Sequence, residues 1–225
     1  MKRQIIITAD GSTTIQIEDW DEQYHSVHGA IQEAYHVFIN AGLQPYLELN
    51  QPSNPISILE IGFGTGLNAF ITALETIPLQ QQIYYQGVEA YPVNQKEISA
   101  LNYESQLKDK FVSGVFETLH SGPWEIPFQI SSEFKMEKKQ KFFSEIDSIS
   151  EFDLIYFDAF GARVQPELWD EAMFERMFKA LKSNGVLVTY SAKGSVRRAM
   201  IAAGFQVEKL PGPPGKREML RALKG

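Results

Sequence analysis

The sequence predicts an α/β protein whose mostly parallel central sheet is covered by helices on both faces. Two observations carry this prediction. Strand-like apolar runs alternate with helix-like amphipathic runs from residue 56 onward, and such alternation is typical of parallel strands joined by helical crossovers. The chain also has 225 residues, 44% of them hydrophobic, which is enough for one core of this kind.

Residues 1–50 are predicted to form a small N-terminal hairpin–helix extension. Two short strand-like runs, residues 5–8 and 14–17, flank the turn "ADGS" and predict the hairpin. Apolar residues near 3.6-residue spacing predict a helix over residues 27–41, which Gly42 is expected to end. The loop "QPSNP", residues 51–55, then opens the main domain, residues 51–225.

The main domain shows the alternation most clearly. The predicted strands are residues 56–61, 83–89, 153–158, 185–190, 205–210 and 218–223, with a strand or hairpin within residues 128–143. The predicted helices are residues 67–77, 92–103, 166–181 and 195–203, and Pro92 suits a first helical turn, where its missing N–H is not needed. The last two strands must run antiparallel, because the short "PGPPG" loop cannot make a parallel crossover.

Composition excludes several kinds of chemistry. The chain has no cysteine, which excludes a thiolate nucleophile, a cysteine-ligated cluster and a cysteine zinc site. His25, His28 and His36 are spaced irregularly, so we expect no metal. No apolar run reaches membrane-spanning length and the N-terminus lacks a signal-peptide pattern, so we expect a soluble, cytoplasmic protein.

Charge is distributed unevenly along the chain. The formal net charge is −7, yet residues 193–225 hold eight lysines and arginines against two glutamates. An acidic body with a basic C-terminal end can bind a polyanion on one face. A solvated surface explains the same pattern equally well.

The segment "ILEIGFGTGLNAF" is the most informative stretch. A buried strand runs into Gly62, Gly64 and Gly66, Glu60 precedes them, and a helix opens after them. Glycines let a backbone approach a ligand closely, and ligands of such folds bind at the carboxyl ends of the strands. The acidic-x-Gly-x-Gly-x-Gly pattern resembles the first motif of class I S-adenosylmethionine-dependent methyltransferases. Glu89 ends the next strand and can accept ribose hydroxyls, a device that NAD(P) enzymes share.

The segment "FDLIYFDAFGARVQPELW" poses a question about Asp158, because a carboxylate at the end of a buried strand is costly without a partner or a function. A pocket carboxylate can bind an ammonium group, accept its proton and orient the lone pair of the resulting amine. Asp158 is therefore the candidate catalytic residue, and the family resemblance described below implies that the acceptor is an amine. The alternative is an aspartate that only caps the following loop.

Four segments together resemble a known family over most of the chain. They are "DGSTTI…YHSVHGAIQEAYHVFINAGL", "ILEIGFGTGLNAF", "FDLIYFDAFGARVQPELW" and "SVRRAMIAAGFQVEKLPGPPGKREML". They are similar to the methyltransferase domain of the MnmC-type proteins of bacterial tRNA 5-methylaminomethyl-2-thiouridine biosynthesis. The resemblance implies a Rossmann-like class I methyltransferase fold with a seven-stranded sheet. It also implies methyl transfer from S-adenosylmethionine to the amine of 5-aminomethyl-2-thiouridine, at the wobble position of the tRNA anticodon loop.

The resemblance also implies roles for further residues. The N-terminal segment would fold over the cofactor, with Tyr24, Ser26 and Gly29 lining that lid and Glu33 meeting the methionine amino group. A plain helix-entry turn is the alternative for the N-terminal segment. Because RNA loop bases are commonly read against aromatic faces, we expect Phe160 to stack on the extruded base, with packing in the core as the alternative. We expect the basic groups Arg197, Lys216 and Arg217 to hold RNA phosphates.

The sequence departs from the family pattern in three ways. The flavin-dependent oxidase domain of the familiar fused form is absent from these residues, so a separate partner would supply that step. The usual Gly-Asp near the adenine is replaced by "FKMEKKQKFFSEI", which leaves adenine recognition open. Most of the chain is acidic, so RNA contact would depend on the basic C-terminal end or a partner.

Alternative functions remain open at this point. A small-molecule amine N-methyltransferase and a spermidine-synthase-like aminopropyl transferase would use the same fold, and fold alone excludes neither. A non-catalytic cofactor-binding subunit and an NAD(P) oxidoreductase are further possibilities.

Overall fold

A central eight-stranded sheet organises the described part of the chain, which in this computed structural model comprises residues 2–50, 55–110 and 113–225. The strand order is β10–β11–β9–β8–β4–β5–β7–β6. Its strands are β4 (Ile56–Ile61), β5 (Ile83–Val88), β6 (Phe128–Gln129), β7 (Phe134–Lys139), β8 (Phe152–Phe157), β9 (Leu181–Thr189), β10 (Gln206–Pro211) and β11 (Glu218–Leu223). The predicted α/β class is confirmed.

Five neighbouring strands, β7, β5, β4, β8 and β9, run parallel, and antiparallel strands complete both edges. The expected count of seven strands is one too low, because the predicted hairpin within residues 128–143 adds the two-residue strand β6 to one edge. The β10–β11 pair is antiparallel, as its short loop requires.

Helices cover both faces of the sheet and create two hydrophobic clusters. One face is covered by α1 (Ala30–Ala34), α3 (Leu67–Thr76) and α6 (Val115–Ser121), and the other by α7 (Glu171–Ala180) and α8 (Gly194–Ala202). A strand buried on both faces needs apolar side chains throughout, which is why β8 reads as an unbroken apolar run after Asp153.

The first helical segment is longer than predicted. Helix α1 continues through a π-helical stretch, Tyr35–Leu43, into α2 (Gln44–Asn50), so the prediction that Gly42 ends the helix is wrong. Gly42 instead lets the helix approach the sheet, because a Cβ there would lie 3.0 Å from Cγ2 of Val188. A close approach between two elements can therefore favour glycine inside a helix, and not only at its end.

The N-terminal extension also contains a three-stranded sheet of β1 (Arg3–Ile7), β2 (Thr13–Ile17) and β3 (Glu22–Gln23). The predicted hairpin is its β1–β2 pair. Asn102 fastens it to the main domain by accepting from the Thr13 backbone N–H at 2.8 Å and donating to the Gly11 carbonyl at 2.9 Å. The linker expected at residues 51–55 lies, except for Pro55, outside the described residues.

Two further helix boundaries differ from prediction. The helix expected over residues 92–103 is two short helices, α4 (Gln95–Ser99) and α5 (Tyr103–Gln106). Asn94 caps α4 with a capping box, so Pro92 precedes the helix rather than opening it. The helix expected over residues 166–181 begins as a 3₁₀ turn, Pro166–Trp169, and Asp170 then caps α7. Across the described residues, no helix has both the length and the apolar character needed to cross a membrane.

Candidate active site

Three neighbouring parallel strands end at one edge of the sheet and open into a cavity of about 460 Å³. The glycine loop follows β4, Glu89 follows β5 and Asp158 follows β8. Because parallel strands point the same way, residues that are far apart in sequence meet at this edge. Gly62, Gly64, Glu89 and Asp158 all line the cavity.

Gly62 and Gly64 both require glycine, because each has a positive φ and packs closely against a different part of the chain. Gly62 has φ +89°, and a Cβ there would lie 2.6 Å from the backbone oxygen of Asp158. Gly64 has φ +49°, and its Cβ would lie 2.9 Å from Cδ1 of Tyr24. The loop is therefore pressed between β8 and the N-terminal extension. Gly66 caps α3 and does not line the cavity.

Asn68 connects the two acidic groups at the floor of the site. Its side-chain nitrogen donates to Asp158 Oδ2 at 2.8 Å and to Glu60 Oε1 at 2.9 Å. Its own Oδ1 is buried and has no hydrogen-bond partner among the described residues. Sequence analysis missed Asn68, and its position on the first turn after the glycine loop is the signal that could have found it.

Glu60 lies behind Asn68 and not on the cavity wall, contrary to its expected contact with a cofactor. The side chain is fully buried, and Tyr85 donates its hydroxyl to Oε2 at 2.9 Å. Burial raises the pKa of Glu60 well above its usual value, against the hydrogen bonds from Asn68 and Tyr85. Glu60 therefore supports the cavity wall indirectly, by accepting the hydrogen bond that orients Asn68.

The pKa of Asp158 suits a group that accepts a proton near neutral pH. Burial raises the pKa of Asp158 to about 7, and the charge of Glu33 acts in the same direction. The hydrogen bond from Asn68 and the charge of Lys216 oppose that rise in pKa. Near neutral pH the carboxyl group can therefore both take up and release a proton.

Glu89 lies on the opposite side of the glycine loop. Its Oε2 accepts from the Gly64 N–H at 3.0 Å, and its Oε1 accepts from the Tyr91 N–H at 2.9 Å. Burial raises the pKa of Glu89 above its usual value. Each carboxylate oxygen can accept more than one hydrogen bond, so Glu89 keeps capacity for hydroxyl donors in the cavity.

An aromatic cluster from two parts of the chain forms another wall. Phe160 stands edge-on to Tyr24, with ring centroids 5.0 Å apart, and edge-on to Trp20, at 5.8 Å. All three line the cavity, and the Arg3 guanidinium lies 5.6 Å from the Tyr24 ring centroid. The predicted positions of Tyr24 and Phe160 are thus on the wall, whereas the role of Trp20 was missed.

The other predicted lid residues lie behind this wall. Ser26, Gly29 and Glu33 do not line the cavity. A Cβ on Gly29 would lie 2.8 Å from Asp10 Oδ2, so this glycine serves the packing of the extension. Glu33 accepts from the Ser26 N–H at 3.0 Å and pairs with the Lys216 ammonium at 2.5 Å, so its carboxylate is already engaged.

The three predicted RNA-binding residues have different surroundings. Arg217 is exposed, whereas Lys216 is held by Glu33. Arg197 is only partly exposed, and its Nε is buried without a partner among the described residues. None of the three lines the cavity.

The cavity extends to the segment after β7, where the family pattern has Gly-Asp. Phe142, Phe143 and Ser144 line the cavity here, together with Tyr91. The Phe142 and Tyr91 rings meet edge-on at 6.0 Å, and each remains more than half exposed. These aromatic rings were not singled out from the sequence. Across residues 2–50, 55–110 and 113–225, no group of three or more His, Asp or Glu side chains is placed to hold a metal ion.

Comparison with known proteins gives a consistent result. A family model described as "S-adenosyl-L-methionine-dependent methyltransferase" matches residues 124–225. The tRNA 5-methylaminomethyl-2-thiouridine biosynthesis bifunctional protein MnmC of Leptospira borgpetersenii serovar Hardjo-bovis (strain JB197) is 32% identical over 212 residues, covering 89% of this chain and 32% of the relative. The protein of the same name from Hydrogenovibrio crunogenus is 26% identical over 228 residues, covering 97% of this chain and 33% of the relative.

Solved structures agree on the fold. The crystal structure of MnmC2 from Aquifex aeolicus matches with a TM-score of 0.77 at 23% identity, covering 98% of this chain and 69% of that chain. A probable spermidine synthase from Corynebacterium glutamicum matches with a TM-score of 0.54 at 16% identity, covering 98% of this chain and 75% of that chain. The predicted resemblance to MnmC-type proteins and the predicted methyltransferase fold are confirmed. The chain spans about a third of the length of the curated relatives it matches.

Proposed function

We propose that this chain, a relative of the MnmC-type proteins and of S-adenosyl-L-methionine-dependent methyltransferases, is an N-methyltransferase that acts on the amine of 5-aminomethyl-(2-thio)uridine at the tRNA wobble position. The observation that carries the proposal is the place of Asp158. This carboxyl group has a pKa raised to about 7 and lies on the cavity wall between the glycine loop and Phe160. An amine acceptor needs such a group, because an ammonium cannot attack until it has lost a proton.

The cavity fits S-adenosylmethionine. At the cavity wall, Gly62 and Gly64 let the loop backbone pack directly against Asp158 and Tyr24, which side chains at these positions would prevent. The buried Asn68 Oδ1 is an acceptor still without a donor among the described residues. Carboxylates around the cavity suit a cationic ligand. Gly62, Gly64, Glu89 and Tyr24 would hold the cofactor, with Glu89 accepting from its ribose hydroxyls. When bound, the cofactor supplies an electrophilic methyl group on a cationic sulfur.

The chain's own residues would prepare the acceptor. The Asp158 carboxylate binds the substrate ammonium, accepts one proton from it and leaves a neutral amine whose lone pair faces the cavity. Asp158 would hold this amine in position for methyl transfer from the cofactor, and positioning carries much of the rate of such a step. Asn68 keeps Asp158 in place by its 2.8 Å hydrogen bond.

Base recognition would come from the aromatic wall. RNA loop bases are commonly unstacked and read against aromatic faces. Phe160 is held edge-on by Trp20 and Tyr24, so a base entering the cavity meets a ring that is already fixed in orientation. RNA phosphates would meet exposed basic residues on the C-terminal part of the chain, chiefly Arg217 and, on α8, Arg198.

The relatives' names describe bifunctional proteins, and this chain matches only about a third of their length. We assign the flavin-dependent oxidase step that the family resemblance implies to a protein region outside residues 1–225. That region would be a partner or another part of the same polypeptide. We further propose a cytoplasmic location, where a tRNA substrate would be available.

The decisive experiment is methylation of undermodified tRNA by the purified protein, followed by mass analysis of the nucleosides. We expect a gain of one methyl group on 5-aminomethyl-uridine nucleosides, abolished in Asp158→Asn. A parallel reaction with polyamines, and another with decarboxylated S-adenosylmethionine, tests the small-molecule methyltransferase and the aminopropyl transferase. Product only in those reactions would overturn the tRNA assignment.

A further inference from the structure

Lys216 and Glu33 form an ion pair between the two ends of the chain. The Lys216 ammonium lies 2.5 Å from Glu33 Oε2, and Glu33 is only 7% exposed. Glu33 belongs to α1, whereas Lys216 belongs to the loop between β10 and β11. A pair that joins segments 183 residues apart constrains the fold more than a local surface pair does.

The hairpin of β10 and β11 contacts the N-terminal segment at two further points. The His36 ring nitrogen Nε2 hydrogen-bonds the Pro211 carbonyl at 2.8 Å. A Cβ on Gly215, which has φ +84°, would overlap the His28 imidazole. The "PGPPGK" loop therefore lies directly on the segment that carries Tyr24 into the cavity wall.

The pair also reaches the catalytic edge of the sheet. The Lys216 ammonium lies 3.9 Å from the ring centroid of Tyr190, a cation–π contact. Tyr190 donates its hydroxyl to the carbonyl of Ala159 at 2.8 Å. Ala159 directly follows Asp158. The Tyr190 ring therefore connects the Lys216 ammonium to the loop that follows β8.

The charges around Asp158 come from several elements. Glu33 on α1 contributes negative charge and Lys216 contributes positive charge. The Glu60 carboxyl group on β4, whose pKa burial raises well above its usual value, is linked to Asp158 through Asn68. Three neutral groups complete the surroundings, the hydroxyls of Tyr190 and Tyr85 and the buried His25, whose pKa burial lowers to about 4. On the cavity side stand Glu89, Glu167, Asp170, Arg176 and Arg3.

We propose that Lys216 and Glu33 are positioning residues: their ion pair holds the N-terminal segment against the loop that follows β8, and their two charges balance each other behind Asp158. This inference rests on the proposed function, in which Asp158 is the proton acceptor. It reassigns Lys216 from RNA phosphate binding, since its ammonium is already committed to Glu33 and Tyr190.

Charge balance has a consequence that a purely structural pair would lack. Glu33 raises the pKa of Asp158 and Lys216 lowers it. Removing the lysine charge alone should therefore move the Asp158 titration to higher pH, and removing the glutamate charge alone should move it to lower pH. Removing both should return the titration close to that of the wild type.

The test measures the carboxyl titration of Asp158 by NMR on protein labelled with ¹³C at aspartate, with Asp158→Asn identifying the signal. Lys216→Met keeps the length of the side chain and should raise the titration midpoint by about 0.5–1 pH unit. Glu33→Gln should lower it by a similar amount, and the double variant should lie near the wild type. The acidic limb of kcat/KM for tRNA methylation should move in the same directions.

Two further variants control for folding and for general charge. Lys216→Arg should preserve the wild-type midpoint, because a guanidinium can also pair with Glu33 and lie over Tyr190. Lys209→Met removes a lysine of the same hairpin that pairs with the more exposed Glu218 at 2.9 Å, and it should leave Asp158 unchanged. Thermal unfolding of each variant verifies that it is folded under the titration conditions.

The outcomes separate the two proposals. Coincident Asp158 titration curves in wild type, Lys216→Met and Glu33→Gln would overturn the positioning pair, even if tRNA is methylated. Lack of tRNA methylation by the wild type would overturn the proposed function, while the titration would still decide whether the pair balances charge behind Asp158. If Lys216→Met alone is unfolded, Glu33→Gln and the double variant decide the same question.

Discussion

The side-chain nitrogen of Asn68 donates a 2.8 Å hydrogen bond to Oδ2 of Asp158, and this contact joins the first turn of α3 to the end of β8. The same nitrogen also donates to Glu60 at 2.9 Å. The neutral Asn68 amide thus supplies a hydrogen-bond donor to two neighbouring carboxyl groups, those of Asp158 and Glu60. A hydrogen bond to a charged group contributes roughly 1.5–3 kcal/mol.

Replacing Asn68 by Leu should reduce kcat/KM for methyl transfer by about 10- to 100-fold at pH 7, which is the rate equivalent of that hydrogen bond. The acidic limb of the pH profile should move to higher pH, because the bond from Asn68 lowers the pKa of Asp158. Steady-state kinetics across pH checks both effects. Asn50→Ala, which removes an exposed amide that, among the described residues, donates to the Tyr46 backbone carbonyl, is the control and should change neither.

Stability should depend on the protonation of Asp158. Its pKa in the folded protein is raised to about 7, above the value near 4 of an unfolded chain. The folded state therefore holds a proton that the unfolded state has lost, and the stability that this proton contributes disappears as pH rises from about 4 through about 7. Asp158→Asn should accordingly be more stable than wild type at pH 8 by roughly 1–3 kcal/mol, with little methylation activity.

Denaturant unfolding at pH 5 and pH 8 measures that difference. Glu60 and Glu89 also have raised pKa values, so the wild type and Asp158→Asn should both lose some stability with pH, the wild type more steeply. Equal pH slopes for the two proteins would contradict a proton-binding Asp158.

Gly62→Ala should destabilise the fold and weaken S-adenosylmethionine binding. The residue has φ +89°, and the new Cβ would lie 2.6 Å from the Asp158 backbone oxygen, which cannot move without shifting β8. Gly114→Ala is a matched control, because Gly114 has φ +78° but has no described atom within 4 Å of an added Cβ. The control should lose only about 1 kcal/mol from backbone strain.

Thermal unfolding and calorimetric titration with S-adenosylmethionine compare the two glycine variants. We expect Gly62→Ala to lose more stability than the control and to bind the cofactor at least about 10-fold more weakly, a difference of about 1.4 kcal/mol. Unaltered cofactor binding in Gly62→Ala would place the ligand elsewhere than the glycine loop.

Arg217→Gln should weaken tRNA binding and reduce the slope of log K against log salt by about 1, because one phosphate contact is lost. Arg217 is exposed on the loop end that begins β11. Lys209→Gln is the control on the same hairpin, since that lysine pairs with Glu218 at 2.9 Å. Measuring tRNA binding at several salt concentrations gives the slope for each protein. Identical slopes in both variants and the wild type would show that Arg217 does not contact an RNA phosphate.

Several features of the site were predictable because they belong to single strand ends. The glycine loop, Glu89 and Asp158 each follow a recognisable apolar strand, and parallel strands necessarily bring their carboxyl ends to one edge. Asn68 and Trp20 were not predictable in this way. The position of Asn68 directly after the glycine loop places it near the site, but only the fold shows that its side chain joins Asp158 to Glu60. The role of Trp20 depends on where the N-terminal extension meets the cavity, and no short pattern in the sequence encodes that.

The errors at the helices have one cause. Gly42 and Pro92 were interpreted from local propensity, as a helix stop and a helix start. Contact with Val188 instead explains the glycine within the continuous helical segment, and the capping box of Asn94 begins α4. Tertiary packing overrides local preference because the contact between two packed elements involves many atoms, whereas a backbone preference is the small energy of a single residue.

The sequence by itself determined the α/β class, the parallel strand ends and the acid that terminates β8, because hydrophobic periodicity and glycine spacing are local properties. Only the tertiary structure decided which charges face that acid. Glu33 and Lys216 were interpreted separately, as a cofactor contact and an RNA contact, yet they lie 2.5 Å apart. Their pairing brings together two segments from opposite ends of the chain, and electrostatic interactions depend on distance in space rather than on distance in sequence.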